Sequence, residues 1–541
     1  MALRIIICIC TIGFWNIIIQ RTSTAQQLKN DFTSLVPQYS FPATLDEQEK
    51  ALETNPLLLR FRESRKKLSE DLYRPVYHYV NPEGSLNDPN GLCFWQGKWH
   101  LFYQAYPPED PRQHWGHAVS EDLIHWKDLP LAIYPNPEEK CFSGSTLVEK
   151  DRVIAIYHGI GQGTMVAVSS DPLLLNWEKL NGKAVIPLPR EGETLPYNVF
   201  DPCIWKEGEF YYALTGGTQT ILGEGKIRAE FLHRSKNLVD WEYLHPFLEN
   251  DYFGLVGDDG ACPYFWPIGD DKHMLLHYSH NSGGKYLLGD YDRVRNKFVV
   301  TSADDFNHGA WAPGGVHAPS AAPDGKNGIY VIFNMNPGKP TSGWNQIMSL
   351  PRHLSLNEKK EVIMKPAGNI ESLRFGHQQV NSKVLKANEE NILENIAGNS
   401  IEIEVEIDPQ NADMIEINVL RSPGKEEYTS IRFYKERGLR NRIKQTINSV
   451  ITLDNSHSSV LPDVRSRPPE SAEFLMGKNE LLKLRIFIDK SIVEVFVNDK
   501  QCVAMRVYPG LSESTGVSIC ARGQDSKLNS LNAWKMKSIY D

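Results

Sequence analysis

The 541-residue chain has no Cys-x-x-Cys pair, no His-Glu-x-x-His run and no clustered Cys/His set. A zinc site is left without ligands at workable spacing, and His114 and His117, close together but alone, read as structural residues. Gly-x-Ser-x-Gly is missing, as is a glycine-rich phosphate loop, which sets aside α/β serine hydrolases and nucleotide-binding folds. No apolar run reaches the ~20 residues of a helical membrane span. The net charge is −9 and no basic patch carries interleaved aromatics, which argues against a nucleic-acid partner. Neither a cofactor nor a metal is expected.

What is present is β texture and rings. Aromatic residues make up 10% of the chain, and with the carboxylates they suit sugars, because rings stack on the apolar faces of pyranose and furanose units. Residues 1–25 read as a cleavable export signal: Arg4 supplies charge, Ile5 to Ile19 is nearly all apolar, and Ser23-Thr24-Ala25 offers a small-residue cleavage site. Secretion or a periplasmic location is the expectation. Cys93, Cys141, Cys203, Cys262, Cys502 and Cys520 are scattered and read as buried thiols, with disulfides left open.

Residues 26–72 read as a helical or partly ordered leader. From 73 to 366, short β-rich runs alternate with Gly, Pro, Asn and Asp turns. One phrase returns three times: Ser120-Glu121-Asp122-Leu123-Ile124-His125-Trp126, Asp171-Pro172-Leu173-Leu174-Leu175-Asn176-Trp177, and Ser235-Lys236-Asn237-Leu238-Val239-Asp240-Trp241. Aromatic repetition of this kind in an all-β chain marks propeller blades, and the length allows five; a β-sandwich with chance repetition is the competing reading. A connector is expected at 367–399. From 400 to 541 the alternation is clean, as in Ile401-Glu402-Ile403-Glu404-Val405-Glu406-Ile407, and predicts an antiparallel sandwich. The fold class is thus all-β, a five-bladed propeller followed by a C-terminal β-sandwich.

The most informative stretch is Ser85-Leu86-Asn87-Asp88-Pro89-Asn90-Gly91. Pro89 biases Asp88 towards extended backbone, and Asn90-Gly91 tolerates positive φ, so Asp88 is aimed from the start of a rigid strand. A plain surface turn would use the same residue types. With Tyr73-Arg74-Pro75-Val76-Tyr77-His78-Tyr79, Leu101-Phe102-Tyr103-Gln104 and Trp115-Gly116-His117-Ala118, the run resembles glycoside hydrolase family 32, the invertase, levanase and inulinase family of β-fructosidases. The resemblance covers most of residues 73–541 and implies a five-bladed propeller, a sandwich module, and retaining cleavage of β-fructofuranosyl linkages in a small or polymeric carbohydrate.

On that resemblance Asp88 matches the nucleophile of Asn-Asp-Pro-Asn-Gly. Asp201 matches the aspartate of Arg-Asp-Pro, which holds fructosyl hydroxyls and steadies the transition state; the arginine is Phe200 here. Asn87, Gln104, Phe142, Ser143 and Trp115 match positions that orient the nucleophile or line the pocket. The family often has a further Trp between the glutamine and Trp-Gly-His-Ala. Residues 107–113 stand there instead, and Trp311 or Trp344 is a candidate for the missing ring, against a core or rim role for each.

The family's Glu-Cys-Pro, whose Glu is the general acid/base, is Ala261-Cys262-Pro263 here. A methyl group moves no proton. Three readings remain: Asp259, with Asp258 as fallback, takes the role from two residues upstream on the same strand face; the chain binds fructan without cleaving it; or an engineered or chance substitution removed the acid from an otherwise intact hydrolase.

Overall fold

A computed structural model describes residues 31–540 except 221, 222, 224 and 437–445. The expected export signal lies outside the described residues. No helix among them is long and apolar enough to cross a membrane.

Among the described residues five sheets follow one another along the chain, antiparallel except where Leu248–Glu249 joins the fourth in parallel. Their innermost strands are Ser85–Trp95, Cys141–Val148, Pro202–Glu207, Ala261–Ile268 and Val316–Pro323. Each inner strand packs against the next, and the first packs against the fifth, which closes the ring. These are the five blades of a β-propeller. Each blade is built from its own contiguous stretch, with no strand exchanged between blades among the described residues.

The repeated aromatic phrase links the third strand to the outer strand in blades one to three. In each copy an Asp or Asn caps the turn through its side chain: Asp122 accepts from the Ile124 and His125 amides, Asp171 from Leu175 and Asn176, and Asn237 from Val239 and Asp240. One leucine of each phrase takes positive φ, 68° at Leu123, 50° at Leu174 and 68° at Leu238. Burial of those leucines and the neighbouring Trp offsets the backbone strain. Blades four and five use polar turns at the same place, capped by Asp292 and Asn357, so the phrase is not visible there.

The leader forms two helices, Leu45–Glu53 and Pro56–Leu68. Asn55 caps the second by accepting from the Leu57 and Leu58 amides, and Arg65 forks onto Asp128 of blade one at 2.5 and 2.6 Å.

The C-terminal half is a sandwich whose two sheets enclose Ile401, Ile403, Val405 and Ile407 with the facing aliphatic residues. The expected connector at 367–399 is corrected here: Arg374–Val380, Lys383–Leu385 and Asn391–Ala397 are strands of the sandwich. They lie at sheet edges with mostly exposed side chains, so they bury too little to show an apolar alternation.

Propeller and sandwich are locked by residues 73–81. Asp489 of the sandwich accepts from the Val76, Tyr77 and His78 amides and from His78 Nδ1, all at 2.8–2.9 Å. His78 Nε2 lies 3.2 Å from Glu494, which also takes Arg352 of blade five at 3.3 Å. Burial opposes a charge on His78, but the two carboxylates outweigh it and raise its pKa to about 8. A group raised above its unfolded value of ~6.5 stabilises fully below that value and loses the contribution as pH rises through the folded value. Thermal unfolding is therefore expected to become easier between about pH 6.5 and 8.5, with on the order of 1–2 kcal/mol lost. His78→Gln should flatten that slope, and an unchanged slope in the variant would assign the effect elsewhere.

Candidate active site

Four of the five inner strands break register near one end. The breaks fall between Leu86 and Pro89, Cys141 and Gly144, Ala261 and Tyr264, and Val316 and Pro319. A bulge leaves a residue outside the ladder and re-aims its side chain. Asp88, Ser143, Cys262 and His317 occupy these breaks and converge, while Asp201 stands immediately before the inner strand of blade three. The first two inner strands touch at Gly91, where φ is 50° and a Cβ would sit 2.5 Å from the Thr146 methyl. Only glycine fits there.

Asp88 is held on both oxygens. Its Oδ2 accepts from Ser143 Oγ at 2.6 Å and Gln104 Nε2 at 3.2 Å. Its Oδ1 lies 3.1 Å from His317 Nδ1, an ion-pair contact off the line of a hydrogen bond. Gln104 also donates to Ser143 at 2.7 Å. Asn87 Nδ2 donates to Gln104, and Asn87 Oδ1 accepts from Asn334 and Gln346, both at 3.0 Å. This polar web fixes the carboxylate from blades one, two and five.

Asp201 faces Asp88 across one sulfur atom. The Cys262 thiol is 3.4 Å from Asp201 Oδ2 and 3.7 Å from Asp88 Oδ2, so the two oxygens are no further apart than the sum of these contacts. The Cys262 amide donates to the same Asp201 oxygen at 3.2 Å. Asp201 Oδ1 is buried with no hydrogen-bond partner among the described residues. Burial disfavours charge on Asp88, but His317 and the Ser143 hydroxyl outweigh it and hold its carboxyl below the usual range. Burial, with the Asp88 charge behind it, pushes Asp201 up to about 7. Two carboxyls on either side of one thiol thus have opposite proton affinities, the usual signature of divided roles.

A chain of rings borders the pair. Phe142 lies 6.1 Å from His158, His158 5.5 Å from Phe200, and Phe200 6.5 Å from His280. Tyr278 then spans His280 at 5.3 Å and His317 at 4.2 Å, and Trp311 stacks on His317 at 5.8 Å.

Of the residues singled out from sequence, Asp88, Asp201, Asn87, Gln104 and Ser143 come together, with Phe142 on the rim of rings. Trp115 does not join them: it is wholly buried between Phe102 and Tyr157 and donates to the Phe142 carbonyl at 2.9 Å. Its indole supports the wall from behind. Asp258 is also fully buried and is satisfied by Ser279, Ser282 and the Leu255 amide, so it offers nothing to a sugar. Asp259 spends both oxygens on His280, accepting from its amide at 3.0 Å and lying 2.9 Å from its Nδ1. Trp344 is buried against the leader and donates to Asp71, whereas Trp311 stays on the wall. Histidines 158, 280 and 317 and Tyr278 were not legible as site residues, because single histidines in strands carry no spacing signal. All six cysteines outside residues 1–30 are free and buried.

Paired carboxyls of unlike proton affinity inside a belt of rings suit the chemistry of a glycosidase. The chain belongs to glycosyl hydrolase family 32: residues 78–366 match the family's N-terminal domain and 369–535 its C-terminal domain. It is 28% identical to a levanase of Bacillus subtilis over 516 residues, covering 86% of this chain and 71% of that one. It is 26% identical to a fructan 6-exohydrolase of Beta vulgaris, covering 86% and 87% of the two chains. Among solved structures, fructan 1-exohydrolase IIa from Cichorium intybus shares the fold with a TM-score of 0.73 at 24% identity, over 87% of this chain and 98% of that one.

Proposed function

We propose that the protein hydrolyses β-fructofuranosyl linkages of sucrose or fructans with retention, through a fructosyl ester on Asp88. The observation that carries this is the Asp88–Cys262–Asp201 arrangement, in which an ionised carboxylate faces a second carboxyl with an unpartnered oxygen. Retaining cleavage needs a carboxylate nucleophile at the anomeric carbon and stabilisation of the oxocarbenium-like transition state beside it. Asp88 is oriented by Ser143 and Gln104 to attack C2. Asp201 Oδ1 is left to pair with a fructosyl hydroxyl and to steady the oxocarbenium-like transition state. Fructan is favoured as substrate by the relatives, which include a levanase and a fructan 6-exohydrolase.

One observation favours a second reading, a fructan-binding protein of impaired activity: Ala261 is fully buried and brings no acid to the inner strand. Incubation with sucrose, inulin and levan separates the two. The expected result is fructose release, with β-fructofuranose as the first product seen by NMR. Saturable binding without fructose release would establish the binding protein. Oligosaccharide build-up at high sucrose would establish fructosyl transfer.

A further inference from the structure

Asp259 lies just before the inner strand of blade four and His280 just after the strand paired with it. The hairpin's terminal pair is Ala261 and Tyr278. Two more residues outward on each strand bring Asp259 opposite His280, and a two-residue step keeps a side chain on the same face. The observed contacts agree: Asp259 grips His280 through both its amide and its Nδ1. With Nδ1 fixed, Nε2 is the open nitrogen, and it has no hydrogen-bond partner among the described residues. The imidazole is 55% exposed and stands in the belt of rings between Phe200, the neighbour of Asp201, and Tyr278. This is the side on which Ala261 leaves an acid missing.

We propose that His280, oriented by Asp259, is the proton donor and acceptor of the reaction. The inference rests on the β-fructosidase reading. In the first step an Asp88 oxygen bonds to C2 as the glycosidic C2–O bond breaks. The bonding pair stays on the departing oxygen, which takes the Nε2 proton and leaves as an alcohol. In the second step water attacks C2, the ester bond to Asp88 breaks, and the water proton returns to Nε2. Charge and protons balance over the cycle. Asp259 is a positioning residue, since it touches the imidazole and not the sugar.

The titratable groups bearing on His280 are Asp259 and Tyr278, which touch it, and Asp201 and Asp88, whose charges act on it. The Asp259 hydrogen bond raises the imidazole pKa against the cost of burial, and the charges of Asp201 and Asp88 add to it. The same positive charge is felt at both catalytic carboxyls. A rival acid is Glu230, whose carboxyl stands where a Cβ on Gly260 would have to go and is pushed up to about 7 by burial. It has 0% exposure, which keeps it from a bound sugar.

The test compares sucrose, whose leaving group needs a proton, with an aryl β-fructofuranoside, whose phenolate leaves without one. His280→Gln is expected to lower kcat on sucrose by about 10²–10⁴-fold. On the aryl substrate it should release a burst of phenol, accumulate fructosyl-enzyme on the Asp88 peptide, and turn over again when azide replaces water. Asp259→Asn should move the alkaline limb of the kcat/KM profile to lower pH, because the imidazole then loses its proton sooner. Equal losses on both substrates, or no loss, in His280→Gln would overturn the proposal, as would the burst-and-azide pattern in Glu230→Gln. If the unaltered protein releases fructose while His280→Gln behaves like it, the inference falls and the β-fructosidase reading stands. If the unaltered protein cleaves neither substrate, both fall.

Discussion

Asp88→Asn is expected to lower fructose release by roughly 10⁴–10⁶-fold while leaving the fold intact, the scale seen when a covalent nucleophile is removed. The amide keeps the volume of the carboxylate and can still meet Ser143 and Gln104, so the packing around it survives. What it loses is the negative charge that His317 supports and the electron pair that would bond to C2. Binding of fructan should persist, since Asp201 and the rings are untouched. Acid-quenched digests of the unaltered chain should show one fructosyl mass on the Asp88 peptide, and the variant should show none. Activity within about an order of magnitude of the unaltered chain would take Asp88 out of the role.

The second large effect is structural. Asp489→Ala removes the acceptor of three backbone amides and of His78 in one change. Tyr77, His78 and Asp489 are buried and Val76 is partly so, and the donors left behind at Tyr77 and His78 have no water to turn to. Removing one partner of a buried, hydrogen-bonded ion pair costs about 3–5 kcal/mol. The urea midpoint should fall accordingly. A loss below about 1 kcal/mol would mean that the sandwich is not anchored through this carboxylate.

The Tyr73–Tyr79 segment shows what sequence could and could not convey. It was legible as part of the family pattern, yet nothing in its residues told that it binds the sandwich: Tyr77 donates to the Ile488 carbonyl and Tyr73 to that of Pro509. Partners more than four hundred residues away leave no local trace. Asp88 and Asp201 were legible because short, rigid motifs carry them. Their proton affinities were not, because those come from burial and from His317, a residue of the last blade. Asp259 drew attention as a carboxylate beside a gap. Its hydrogen-bond partner became visible only once the hairpin register aligned residues 259 and 280. The Trp-bearing turns marked three blades, while the charged turns at Asp292 and Asn357 hid the other two.

The register breaks at the mouth also bear on how such a protein changes over generations. A residue that belongs to neither flanking stretch of ladder can be exchanged without disturbing the pleat on either side. The scaffold therefore tolerates drift at the positions where the chemistry is done. Ala261 stands at the edge of one such break, and its blade keeps its strands and its packing. A lineage built on this plan can hand a proton-carrying duty from one side chain to a neighbour across a hairpin and never pass through an unfolded ancestor.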